Sequence, residues 1–156
     1  MKRHPRSQRG LAAVEMAIVL PMFLLLLLAI LDFGRLFFTE ITLQHAMREG
    51  GRFGVTGAQL ADPNDPKTLQ SRLASIKRIV TQTAVGVDVN PSDIVISSVI
   101  GGKDNAGGAG DTMTISLSYT FYFITPLIGQ YFDNGSHHFT VSTSFRNEPF
   151  PPGTPS

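Results

Sequence analysis

The longest unbroken apolar pattern in the chain is LAAVEMAIVLPMFLLLLLAIL, residues 11–31, in which Glu15 is the one ionisable side chain. Twenty-one helical residues rise about 31 Å, enough to cross a hydrocarbon core of about 30 Å. A helix buried in a small soluble domain usually keeps a polar face, and the run Phe23–Leu28 has none. The pattern therefore predicts a transmembrane helix. Beyond it Phe33, Leu36, Phe37, Ile41, Leu43, Ala46 and Met47 recur mostly three or four residues apart, with charges between them. One long helix from about Leu11 to Arg48 is predicted, its end loosened by Gly50-Gly51.

A turn-rich linker, Ala61–Pro66, precedes a second amphipathic pattern. Leu69, Leu73, Ile76, Ile79 and Val80 predict a helix from about Pro66 to Ala84. The period then changes to two. Ile94, Ile96, Ser98 and Ile100 alternate with other residues, as do Met113–Phe123 and Phe139–Phe145. Such alternation predicts three strands with one buried face each, and their short links predict an antiparallel meander packed on the two helices. The fold class is α+β: a long N-terminal helix, a second helix and a three-stranded antiparallel sheet. The chain divides into a leader (1–10), a transmembrane helix (11–31), a helical stem (32–57), a small extracytoplasmic domain (58–146) and a Pro-rich, frayed tail (147–156).

Charge adds direction. Thirteen Lys and Arg face twelve Asp and Glu, and Lys2, Arg3, Arg6 and Arg9 all lie in the first ten residues. The remaining nine basic against twelve acidic residues leave no electrostatic footprint for nucleic acid. Basic residues before the apolar run place the N-terminus in the cytoplasm and the rest across the membrane. A cleaved secretory signal has an apolar stretch of roughly 7–15 residues and a small-residue cleavage site. Here the run is longer, and Asp32-Phe33-Gly34-Arg35 follows it directly.

The candidate chemistry is sparse. The chain has no cysteine, which excludes disulfides, thiolate metal sites and a cysteine nucleophile. It has no tryptophan, so half of an interfacial aromatic belt is missing. The loop GGKDNAGGAGD lacks the pattern of a phosphate loop. Its Asp104, Asn105 and Asp111 are oxygen ligands of the kind calcium takes, but the EF-hand spacing is absent. His137 and His138 would point to opposite faces of a strand, and His45 has no second histidine one turn on. No Gly-x-Ser-x-Gly occurs. These features predict neither an enzyme nor a bound cofactor.

Two positions are unusual for a plain anchor. Glu15 sits one turn into the apolar run, where a carboxylate costs on the order of 2.5–3.5 kcal/mol at the bilayer centre and less near the headgroups. It either stays wet at the interface or meets a positive partner. Pro21 removes a backbone hydrogen bond, giving either a bent helix suited to packing with others or a tolerated kink.

A basic leader ending in Gly10, then Leu11-Ala12-Ala13-Val14-Glu15 at the head of an apolar helix, resembles the processing site of type IV pilins and pseudopilins. The wider stretch resembles the TadE-like pattern: Arg9-Gly10, Val14-Glu15, Leu20-Pro21, Phe33-Gly34-Arg35, Ala46, Arg48, Glu49, Arg52 and Thr56-Gly57. Ser144–Glu148 resembles the Arg-x-Glu that often closes such domains. Met16 stands where the family often has an aromatic residue. Many members also carry cysteines that this chain lacks.

The resemblance implies a minor pseudopilin of the tight-adherence (Tad/Flp) pilus and secretion system, with roles in adhesion and biofilm formation. A prepilin peptidase would cut between Gly10 and Leu11, and Glu15 would pair with the new amine of a neighbouring subunit during assembly. The implied location is a bacterial inner membrane, with the C-terminal domain periplasmic and a place in either the filament or the basal complex. The implied partners are other Tad pseudopilins, the major Flp pilin and assembly-platform proteins. Two rivals stand beside it: an uncleaved, single-pass binding or sensor module, and an anchored small hydrolase.

Overall fold

The computed structural model describes residues 7–150, with side chains from Gly10 onward. The basic side chains of the leader lie outside these described residues. The first element, α1 (Ser7–Gly54), is a single helix of 48 residues that continues through Pro21. It also continues through Gly50-Gly51, contrary to the loosening predicted there. These glycines act as contact points: a methyl group at Gly50 would overlap the Val80 side chain, and one at Gly51 the Phe145 ring. A methyl at Gly54 would lie 2.7 Å from Met113 Cε and 2.9 Å from Ile76 Cδ1. Close packing here requires the absent side chain and outweighs glycine's poor helix propensity. The helix stops instead at Thr56-Gly57, where the amide of Gly57 returns to the Gly54 carbonyl at 3.2 Å and Gly57 adopts φ 72°.

The chain forms two compact units. The first comprises α1 up to Leu36 together with residues 122–137. Its most apolar helical window is wholly exposed, and the helix is long and apolar enough to cross a membrane. Asp32 is buried there with Thr125 and Ser136, and its carboxylate accepts from the amides of Ile124 at 3.1 Å and Thr125 at 2.8 Å. Arg35 lies 3.5 Å away on the same helix. Phe33 meets Phe123 edge-on at 6.2 Å, and Phe123 stacks on Phe132 at 4.4 Å. A single short turn of helix, α3 (Pro126–Gly129), lies in the connection.

The second unit comprises residues 37–121 and the chain from 138 on. Helix α2 (Arg72–Thr83) starts six residues later than predicted, with Ser71 as its cap accepting from the Ala74 amide at 3.2 Å. The preceding residues are held in turns instead: Asp62 N–Thr68 O at 2.9 Å, Gln70 N–Leu60 O at 2.8 Å, and side-chain acceptors at Asp62 and Asp65. Leu69, expected on the buried face of that helix, is exposed.

The sheet has four strands in the order β2-β1-β3-β4, one more than predicted. They are β1 (Ile94–Ser98), β2 (Gly102–Lys103), β3 (Thr112–Tyr122) and β4 (Ser136–Arg146). The three long strands are consecutive neighbours, as a meander requires. The extra strand arises because the chain turns back after Ser98 and pairs Ser97 with Lys103. Ile100, expected in β1, therefore sits in the turn and is 85% exposed. The turn is tied down by the Ser98 hydroxyl, which accepts from Gly101 N at 2.8 Å, and by Asp111, which accepts from Ile100 N at 3.2 Å.

Across β1 and β3, Ile96 faces Ile115 and Ile94 faces Leu117. Across β3 and β4, Thr114 meets Ser144 at 2.8 Å, Ser118 meets Thr140 at 3.1 Å and Thr120 meets His138 at 2.8 Å. The partner number falls as the first rises, which is an antiparallel pairing. The buried sheet face joins Leu43, Ala46 and Met47 of α1 and Ile76 and Val80 of α2 in one core with Ile94, Ile96, Met113, Ile115 and Leu117. One sheet face packed on two helices is what the alternation predicts.

Candidate functional site

Glu15 lies four residues beyond Leu11, so the two share one face of α1 about 6 Å apart along the axis. Gly10, immediately before them, has nothing within 4 Å of where a Cβ would stand. Leu11 is 64% exposed, and Glu15 is exposed without an ion pair or hydrogen bond among the described residues. The site is thus an open helix end: a small residue beside an accessible peptide bond, with an unpaired carboxylate one turn further on. Gly10 weakens the helix locally by about 1 kcal/mol relative to alanine.

The other sequence-predicted positions fall into two groups. Phe33, Gly34 and Arg35 follow Asp32 just beyond the apolar run; Phe33 packs on Phe123, Arg35 flanks Asp32, and Gly34 has open space around it. Arg48 and Arg52 are exposed near the C-terminal end of α1. Arg48 borders an open groove of about 280 Å³ lined also by Glu40, Gln44, Met47 and Thr140–Thr143. The structure brings neither group together with Gly10 and Glu15.

The Gly-rich loop is held by hydrogen bonds from its own side chains and backbone. Asp111 is 4% exposed, and its carboxylate is occupied by the amides of Ile100 and Thr112, the latter at 2.7 Å. Burial alone would raise its pKa; the Ser98 side chain and the amides of Thr112, Ile100 and Gly101 outweigh that and hold it below the ordinary value. Asn105 Oδ1 accepts from Gly107 N at 2.7 Å. Among the described residues no cluster of three potential metal ligands occurs. His138 bonds Thr120, and His137 meets the Phe132 ring edge-on.

Sequence reasoning missed three buried polar residues. Asp32 reads as one flanking charge among several, yet it fastens the connection between β3 and β4. Arg72, fully buried, donates to the carbonyls of Gly54 at 3.0 Å and Gly107 and to Asn147 Oδ1 at 2.8 Å. Its guanidinium lies 4.9 Å from the Phe150 ring centroid, and burial lowers its pKa. Asn147, expected to open a frayed tail, is 3% exposed and donates to the Ala106 and Gly108 carbonyls at 2.8 and 2.9 Å.

The TadE-like protein family profile matches residues 10–52. The matched stretch contains Gly10, Glu15, Pro21, Phe33-Gly34-Arg35, Arg48 and Arg52, and it is a minority of the chain. No curated protein and no solved structure matches the chain.

Proposed function

We propose that this chain is a non-enzymatic, single-pass membrane subunit that takes part in assembly of a Tad/Flp-type pilus after a prepilin peptidase cuts between Gly10 and Leu11. The observation that carries the reading is the open helix end: Gly10 with nothing within 4 Å of where a Cβ would stand and Glu15 exposed without a partner among the described residues, at the head of an exposed apolar helix. The family similarity over residues 10–52 supports it.

Before processing, the basic leader holds the helix across the inner membrane, with the chain beyond the apolar run on the far side. Cleavage creates an ammonium at Leu11. Glu15 then attracts the ammonium of a neighbouring subunit, which offsets the cost of a carboxylate among lipid or packed helices. Pro21 gives the helix a place to bend as it packs. Phe33-Gly34-Arg35, Arg48 and Arg52 serve contacts with other pseudopilins, the major Flp pilin and the assembly platform.

The direct test is the intact mass of protein extracted from membranes of cells with and without the matching peptidase. The expected product begins at Leu11 only when the peptidase is present. A full-length leader in cells that express the peptidase would remove the processing step. An uncleaved binding or sensor module would instead use the groove beside Arg48, and a Glu15→Ala chain would then keep its function.

A further inference from the structure

The end of β3 and the connection from it to β4 carry apolar side chains that the core does not use. Tyr122 is 66% exposed, Ile124 67%, Leu127 44% and Tyr131 85%. All four belong to the same compact unit as the apolar helix. Asp32 fixes their depth. It follows Leu31, the last residue of the apolar run, and its carboxylate holds the amides of Ile124 and Thr125 at 3.1 and 2.8 Å. One residue of helix adds about 1.5 Å, and each interfacial layer of a bilayer is roughly 5–7 Å thick. The backbone of Ile124-Thr125 therefore lies at headgroup level wherever residues 11–31 span the hydrocarbon.

We infer that the segment Tyr122–Tyr131 is a second membrane contact, with Ile124, Leu127 and Tyr131 dipping into the leaflet from which α1 emerges. This rests on the proposed membrane span. The backbone suits that place because it brings its own acceptors. Asp32 takes two amides, while Gly129 N returns to Thr125 O at 3.0 Å, Tyr131 N to Ile128 O at 3.0 Å and Phe132 N to Gly129 O at 3.1 Å.

The partner is lipid chains and the glycerol layer rather than charged headgroups. Residues 122–137 contain no Lys or Arg, and Asp133 is their one carboxylate. The chain has no tryptophan and three tyrosines, two of which, Tyr122 and Tyr131, lie in this segment. The aromatic belt that the apolar helix lacks is supplied from a distant part of the sequence.

The absence of tryptophan makes the test clean. Full-length Leu127→Trp and Tyr131→Trp are each placed in phosphatidylcholine vesicles, with Phe23→Trp as the reference for the span. Quenching is read with lipids brominated near the glycerol end or deep in the chain. Both reporters should emit to the blue of water-exposed tryptophan. Shallow bromines should quench them more than deep ones, and 1 M salt should leave the quenching unchanged. Phe23→Trp should show the reverse depth order.

Water-like, unquenched emission from either reporter beside a quenched Phe23→Trp overturns the inference and leaves the span standing. Blue-shifted but unquenched reporters overturn it in favour of a neighbouring protein surface. An unquenched Phe23→Trp removes the span and the inference together.

Discussion

Arg72 donates to the Asn147 side-chain oxygen at 2.8 Å across 75 residues of sequence. The same guanidinium reaches the Gly54 carbonyl at the end of α1 and the Gly107 carbonyl in the Gly-rich loop. Asn147 then donates to Ala106 and Gly108. Four segments are thus joined through two side chains, beside backbone bonds from Asn147 N to Asp111 O at 2.8 Å and Glu148 N to Val55 O at 3.0 Å. A planar fork with five donors can serve three acceptors in different directions, which an ammonium on a flexible stem does poorly. Arg72→Ala should lower stability by about 3 kcal/mol or more, because it strands buried acceptors. Arg72→Lys should recover only part of the loss. Urea midpoints in detergent compare the three chains, and a Lys variant as stable as the parent would show that the fork geometry is not required.

Gly51→Ala places a methyl group in the Phe145 ring. Overpacking of this kind costs about 1–3 kcal/mol. Replacing the ring as well, in Gly51→Ala/Phe145→Leu, should return part of that loss, so the two changes should be non-additive in a double-mutant cycle. Strict additivity would mean that the helix and β4 do not approach as closely as described.

Gly34 gives the opposite expectation. It has no neighbour within 4 Å and does not appear among the glycines of positive φ, so the isolated fold does not require glycine there. Gly34→Ala should leave the thermal midpoint unchanged or raise it, since alanine is better in a helix by about 1 kcal/mol. If Phe33-Gly34-Arg35 serves contacts between subunits, the same variant should lose piliation. Normal pili on Gly34→Ala cells would remove that role.

The Asp111 carboxyl titrates below its ordinary range in the folded chain. A group with a depressed folded pKa stabilises the fold above its unfolded value, near pH 4, and loses that contribution as pH falls through the folded pKa. Unfolding midpoints should therefore fall steeply below about pH 4 in the parent chain. Asp111→Asn should be less stable at neutral pH and show a shallower acid limb. An unchanged acid limb would place the sensitive carboxylate elsewhere.

Local periodicity made much of this fold legible. The stem pattern Leu43-Ala46-Met47 and the alternation Met113-Ile115-Leu117 each bury the side predicted for them, and the apolar run forms one exposed helix. The candidate site is placed by the same local reasoning, because Leu11 and Glu15 lie about one turn apart on a single helix. What escaped was set by distant partners. Gly50 and Gly51 read as helix breakers until Val80 and Phe145 occupy the space beside them. Nothing in its local sequence marks Arg72 for burial, which depends on Gly107 and Asn147, far along the chain. Asp32 reads as a membrane-flanking charge, since its partners Ile124 and Thr125 lie more than ninety residues later. The short β2 was invisible because two residues carry no alternation.

The core of the second unit takes Leu43, Ala46 and Met47 from the same helix that begins as the apolar run. That arrangement sets an order of events during synthesis. The stem leaves the ribosome early, but α2, β1 and β3, which cover its apolar side, are made later, and Val141 of β4 almost at the end. In the topology proposed above, the part of the chain after the apolar run would cross the membrane with that side uncovered and complete its core only once nearly all of it is through. On that proposal no channel has to pass the finished domain, and any holding factor on the far side would find the stem exposed during that interval.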